Sequence, residues 1–194
     1  MVRYKFFLLL PFLVILLFVS CQTKQQKSAD LPGEIDSSAF LQQGDTISNL
    51  VQKVLLANVM QAMKSGGPGF AVTYCNEKAM PLTDSLAKAH NCVIQRVSDK
   101  YRNPSNKLSE TDAEVFTAMN ASLKPVLLSE NGYLIYYKPI KIAMPACLTC
   151  HGTEGKELDA KTAEIIRQKY PNDLATGYKE GDLRGMWKIT FQGK

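Results

Sequence analysis

The sequence predicts an α+β fold, a small antiparallel β-sheet with helices packed on one side. Three observations point there. Asn131-Gly132, the strongest short hairpin signal, joins two apolar runs. Two further short runs, Val93 to Val97 and Gly185 to Phe191, are rich in β-branched and aromatic residues. The segments before and between them carry apolar residues at helical spacing, and strands plus helices in this proportion make a sheet with helices against it.

In chain order, Ile47, Leu50, Val51, Val54, Leu55 and Met63 recur at helical spacing from Thr46 and give one buried stripe. Gly66-Gly67-Pro68-Gly69 should end that helix, because glycine terminates helices and proline cannot continue one. Phe70 to Ala79 reads as a second helix, and Pro81 as the first residue of a third that reaches about Ala89. After the strand at 93–97, Ser109-Glu110-Thr111-Asp112 resembles a capping box that opens a helix to about Met119. Val126-Leu127-Leu128 and Tyr133 to Tyr137 are the hairpin arms. Ala160 to Tyr170 is helical and stopped by Pro171, and Gly185 to Phe191 is the last strand.

The 194 residues suffice for one domain with a proper core, and 45% hydrophobic with 21% charged residues is ordinary for a soluble globular protein. The formal charge is +5, of which Arg3 and Lys5 lie in the N-terminal leader, leaving +3 without a basic stripe. A nucleic-acid partner is therefore not expected. Arg3 and Lys5 followed by the apolar run Phe6 to Val19 read as a secretion signal, and that run is shorter than the ~20 residues of a spanning helix. Leu17-Phe18-Val19-Ser20-Cys21 resembles the lipobox of bacterial lipoproteins, with Phe18 departing from the usual leucine. Cys21 is thus the expected lipidation site. The boundaries that follow are a lipoprotein-type signal peptide at 1–20, a flexible Gln-, Lys- and Ser-rich tether at 21–45 and a folded domain at 46–194. An uncleaved anchor would equally hold the domain at a membrane, outside the cytoplasm.

Five cysteines and two histidines make spacing testable against chance. Cys147-Leu148-Thr149-Cys150-His151 would arise by accident about once in a thousand such sequences. Thiols one helical turn apart can add across the two vinyl groups of haem, and the adjacent histidine then reaches the iron. One covalent haem c is the expected cofactor, with Cys147 and Cys150 as attachment points and His151 as an axial ligand. Export agrees with this, because c-type attachment is made beyond the cytoplasmic membrane. The competing readings are a redox dithiol, a zinc site that would recruit Cys75, Cys92 or His90, and a structural disulfide.

For the second axial position the residues leave several candidates. Met60 and Met63 fall on or beside the apolar stripe and read as core, Met144 lies too close before the motif, and His90 sits at a helix end. Cys75 and Cys92 could pair with each other in an exported protein. Arg96 and Arg102 flank the 93–97 strand and its following loop, where a guanidinium can pair a haem propionate; the alternative for Arg102 is to brace the loop.

A run of anchors recurs in order: Gly66-Gly67-Pro68-Gly69, Ala71-Val72 with Cys75 and Ala79-Met80-Pro81, Arg96-Val97-Ser98, Tyr101 to Asn106, Lys138-Pro139-Ile140, Cys147 to Gly152, Tyr170-Pro171 with Asp173, Gly177-Tyr178, and Arg184-Gly185. Over residues 46 to 192 the chain resembles a family of bacterial c-type haem domains with a PAS-like fold, long catalogued as a domain of unknown function. The resemblance implies iron held by the motif histidine and a cysteine thiolate, which falls on His151 and Cys75. Cys92 has no counterpart in the pattern and reads as incidental, while its pairing with Cys75 stays open as the alternative. A thiolate favours ferric iron and a low potential. Low-potential electron transfer and redox or gas sensing are then the expected roles, with a redox or signalling protein as partner. An enzymatic role is not expected, since Cys75 would fill the open iron position.

Overall fold

The computed structural model describes residues 37–191; the leader, Cys21 and most of the expected tether lie outside the described residues. Eight main elements follow in order: α1 (Ser37–Ala89), β1 (Cys92–Val97), α2 (Glu110–Ser122), β2 (Val126–Glu130), β3 (Tyr133–Lys141), α3 (Pro145–His151), α4 (Ala160–Lys169) and β4 (Leu183–Phe191). A short 3-10 turn at Pro104–Asn106 follows β1.

Helix α1 begins at Ser37, so residues 37–45, expected as tether, are helical. Tertiary partners extend it. Phe40 packs edge-on against Phe191 with ring centroids 5.0 Å apart, and Asp45 takes the Lys138 ammonium in an ion pair. At Gly67 (φ 78°, ψ −173°) the helix bends sharply into a second arm. A side chain at that φ would be strained, and the residue before a proline is itself pushed out of the α region, so Gly67-Pro68 forms the kink on both counts. The expected stop is thus a kink, and Phe70–Ala79 and the segment from Pro81 are one continuous arm. Pro81 leaves the carbonyl of Glu77 without its helical donor, but both residues are exposed and water can serve it.

The sheet is antiparallel throughout, in the order β1-β4-β3-β2, so the last strand enters between the first and third. Asn131 (φ 51°) and Gly132 (φ 81°) both adopt the left-handed region, as a two-residue hairpin turn of matching twist requires. Alternation along β3 and β4 sends Tyr136, Trp187, Ile189 and Phe191 to one face, where they meet Ile47, Val51 and Leu55 of α1. Helices α3 and α4 gather on that side too, α4 through Ala163 and Ile166 against Val72. The opposite face is also apolar, presenting Ile135, Tyr137 and Met186, and α2 covers it with Val115, Phe116 and Met119, joined by Leu108, so helices lie on both sides of the sheet where the sequence predicted one. The fold is the α+β class expected, in an arrangement that fits a small PAS-like domain.

Ser109 and Asp112 form the anticipated capping box at the start of α2. Asp112 also accepts 2.8 Å bonds from Tyr137 Oη and Lys188 Nζ, with its side chain only 4% exposed. Burial pushes this carboxyl up, but the bonds from Lys188, Ser109 and Tyr137 outweigh it and hold the group below its ordinary value. A depressed folded-state pKa stabilises the fold above the unfolded value and loses that contribution as pH falls through the folded one. Thermal melts should therefore show stability falling steeply below about pH 4, with a flatter acid limb in Asp112→Asn. At pH 7 Asp112→Ala should cost ~3–5 kcal/mol, since it strands Lys188 and the Tyr137 hydroxyl.

Candidate functional site

Helix α3 carries the cysteine pair and the histidine on two turns. Pro145 opens it at a position where its missing N–H costs nothing. Gly152 closes it by donating to Leu148 O at 2.7 Å, and a Cβ there would lie 2.6 Å from that same oxygen, so no side chain fits. The last carbonyls of a helix have no partner within it. Here the segment 173–178 and one arginine supply them: Tyr178 N donates to His151 O (2.9 Å), Gly177 N to Gly152 O (2.9 Å) and Arg102 Nη2 to Cys150 O (2.6 Å). Leu148 anchors the inner side against Ile142, Ala175 and Tyr178.

His151 Nδ1 lies 2.7 Å from the carbonyl oxygen of Ala175. A carbonyl can only accept, so Nδ1 carries the proton and Nε2 keeps its lone pair free. Burial, reinforced by the nearby guanidiniums of Arg184 and Arg102, holds the imidazole well below its ordinary pKa and keeps it neutral. A neutral imidazole oriented through its other nitrogen by a backbone carbonyl is the usual form of a metal-ligating histidine.

Two adjoining cavities of about 200 and 210 Å³ meet at this helix and share Gln52, Cys75, Arg96, Arg102, Cys147 and His151 in their walls. Together they reach the size of cofactor pockets, roughly 300–1,000 Å³. The first is apolar, walled by Leu55, Val59, Met63, Val72 and Trp187 with Cys150. The second is polar and cationic, adding Ser98, Asn103 and Arg184 to Arg96 and Arg102. No Asp or Glu lines either one. The combination suits an amphiphilic, anionic guest.

The structure brings Cys147, Cys150, His151, Cys75, Arg96 and Arg102 to this one place. Cys75 comes from the second arm of α1, where burial pushes its thiol up against the opposing pull of Arg96 and Arg102. Burial likewise raises Cys150, again opposed by Arg102. Cys75, Cys92, Cys147 and Cys150 are all free thiols, so no Cys75–Cys92 disulfide is present. Arg96 stands on β1 beside Trp187, its guanidinium 6.0 Å from the indole centroid, and it is exposed and lines both cavities. Arg102 is committed elsewhere: Nε and Nη2 bond Asp173 (3.0 and 3.4 Å), and Nη2 also donates to Ala175 O at 3.2 Å. It braces the site, tying the 173–175 segment to α3.

His90 lies in the turn just after α1 and lines neither cavity, whereas Met60, Met63 and Met144, expected as core or out of reach, line the first. Two contributors escaped the reading of single residues. Gln52 accepts from Trp187 Nε1 at 2.7 Å and orients the indole, and Arg184, a charge set among apolar residues at the start of β4, reaches the second cavity. That isolated charge inside Leu183-Arg184-Gly185-Met186-Trp187 was the available signal.

Fold and site together define a class: a small α+β domain in which a Cys-x-x-Cys-His helix walls an amphiphilic cavity. The chain belongs to the Tll0287-like family, whose pattern matches residues 25–192. Among solved structures, that of the cyanobacterial heme-protein Tll0287 is similar, with a TM-score of 0.61 and 23% identity over 79% of this chain and 94% of that one. That likeness speaks for the fold. No curated protein sequence matches the chain.

Proposed function

We propose that this chain is an exported, membrane-anchored protein that carries one haem c covalently and acts as a low-potential redox protein, in electron transfer or in redox or gas sensing. One observation carries the reading: Cys147, Cys150 and His151, on one short helix, line the same cavity as Cys75. Three features support the fit. His151 Nε2 is free because Nδ1 is bonded to Ala175 O. The walls pass from apolar to cationic, as a macrocycle with two carboxylates requires. Arg96 offers a guanidinium with no carboxylate partner or hydrogen bond of its own among the described residues. The similar cyanobacterial protein is described as a heme-protein. Against a zinc site, no group of three or more His, Cys, Asp or Glu is placed to hold an ion among the described residues.

Haem bound here would supply a one-electron ferric/ferrous couple. Cys147 and Cys150 would hold it through thioethers, and His151 Nε2 and the Cys75 thiolate would be its iron ligands. The negative sulfur favours the ferric state and keeps the potential low. Val59, Met63 and Val72 exclude water, and Arg96 pairs a propionate. The leader directs the chain outward and Cys21 carries the lipid, which leaves the domain beside a membrane where a redox or signalling protein can meet it.

The test is haem retention. Produced with c-type maturation machinery, the chain should keep a haem-stained band on a denaturing gel, and Cys147→Ser/Cys150→Ser should lose it completely. A colourless band from folded, exported wild-type protein would overturn the reading.

A further inference from the structure

We infer that the second cavity is the acid pocket of the haem site, in which Arg96 and Arg184 each take one carboxylate and Arg102 takes neither. This rests on the haem reading and adds what recognises the acidic edge and which way that edge points. Three guanidiniums line that 210 Å³ cavity, and they are not equivalent. Arg102 is already neutralised by Asp173 and gives Nη2 to the carbonyls of Cys150 and Ala175, so its charge is met within the protein although Nη1 makes no hydrogen bond among the described residues. Arg96 has the Trp187 ring beside it and no hydrogen bond or carboxylate partner among the described residues. Arg184 stacks on Tyr178 at 5.5 Å and gives Nη1 to Ser98 Oγ (3.2 Å) and Lys100 O (3.1 Å), while its buried Nε has no partner.

Arg184, whose buried Nε is unpartnered, and the exposed Arg96 therefore face one cavity that has Lys141 but no acidic side chain on its walls, and a buried donor without a partner is unfavourable. The anion has to arrive with the guest. Haem brings two carboxylates, and a guanidinium can grip a carboxylate bidentately. Direction follows from the walls: Cys150 lines only the apolar cavity and Arg184 only the cationic one. The attachment edge lies at α3, and the acid edge lies toward the start of β4.

The test is redox titration of haem-loaded wild type, Arg96→Gln and Arg184→Gln from pH 5 to 8, with haem staining as the loading control. Removing a nearby cation favours the extra positive charge of ferric iron. Each variant should shift the ferric-to-ferrous ratio about tenfold toward ferric at fixed potential, ~59 mV for one electron. Its midpoint should also become pH-dependent as the released carboxylate titrates. Fully loaded variants with wild-type midpoints at every pH overturn the assignment. Arg184→Lys keeps the charge but loses the fork, so it should shift the haem carboxylate vibration in resonance Raman spectra even if Arg184→Gln fails to fold. An unshifted band removes Arg184 from the pocket. A wild-type chain without attached haem contradicts the haem reading instead, so the two failures are distinct.

Discussion

Cys75→Ala should abolish the thiolate signature in the absorption spectrum of the haem-loaded protein and raise its midpoint potential by at least ~0.1 V, within the ~0.8 V over which axial ligands set haem potentials. The effect is electrostatic. An anionic sulfur stabilises ferric iron, and alanine removes that charge. The cavity supplies understudies, because Met60, Met63 and Met144 share its wall with Cys75. A variant that recruits one of them should move toward a His/Met spectrum, which moves the potential further upward. Cys92→Ala is the control, since Cys92 is buried in β1 and lines neither cavity. An unchanged spectrum and potential in Cys75→Ala would exclude Cys75 as a ligand.

The second large effect concerns Arg102 and Asp173, whose side chains are 12% and 8% exposed. Breaking one half of so buried a pair should cost ~3–5 kcal/mol, a large share of the 5–15 kcal/mol by which domains are stable. For a domain of this size the melting temperature of Arg102→Met or Asp173→Ala should fall on the order of 10 °C at pH 7. Arg102 also donates to Cys150 O and to Ala175 O, the acceptor of His151 Nδ1. Its loss loosens both the attachment helix and the orientation of the imidazole, so haem loading should drop along with stability. Arg102→Met/Asp173→Leu should cost less than the two single changes added together, because no unpaired charge remains.

Much of the architecture is written in short-range pattern. The hairpin at Asn131-Gly132, the Ser109–Asp112 box and the Cys147–His151 motif each need only neighbours a few positions apart, and all three were legible. What escaped the sequence depends on distant partners. Residues 37–45 look like a tether until Phe191 and Lys138 receive Phe40 and Asp45. Pro81 looks like a helix start because its exposure, which lets water serve Glu77, is a tertiary fact. Arg102 reads equally well as a propionate partner or a brace until Asp173, 71 positions on, is seen to hold it. The apolar stripe shows the same limit. Ile47, Val51 and Leu55 are core, but Met60 and Met63 continue the helix past the end of the sheet contact and become cavity wall.

The covalent bond between porphyrin and the Cys147-Cys150 segment is the claim on which the ligand, potential and acid-pocket arguments all depend. Intact-mass spectrometry of the denatured, mature protein tests it most directly. The expected result is a polypeptide heavier by one haem, with the added mass confined on digestion to the peptide that contains Cys147 and Cys150. A correctly exported chain of unmodified mass at those cysteines would contradict it.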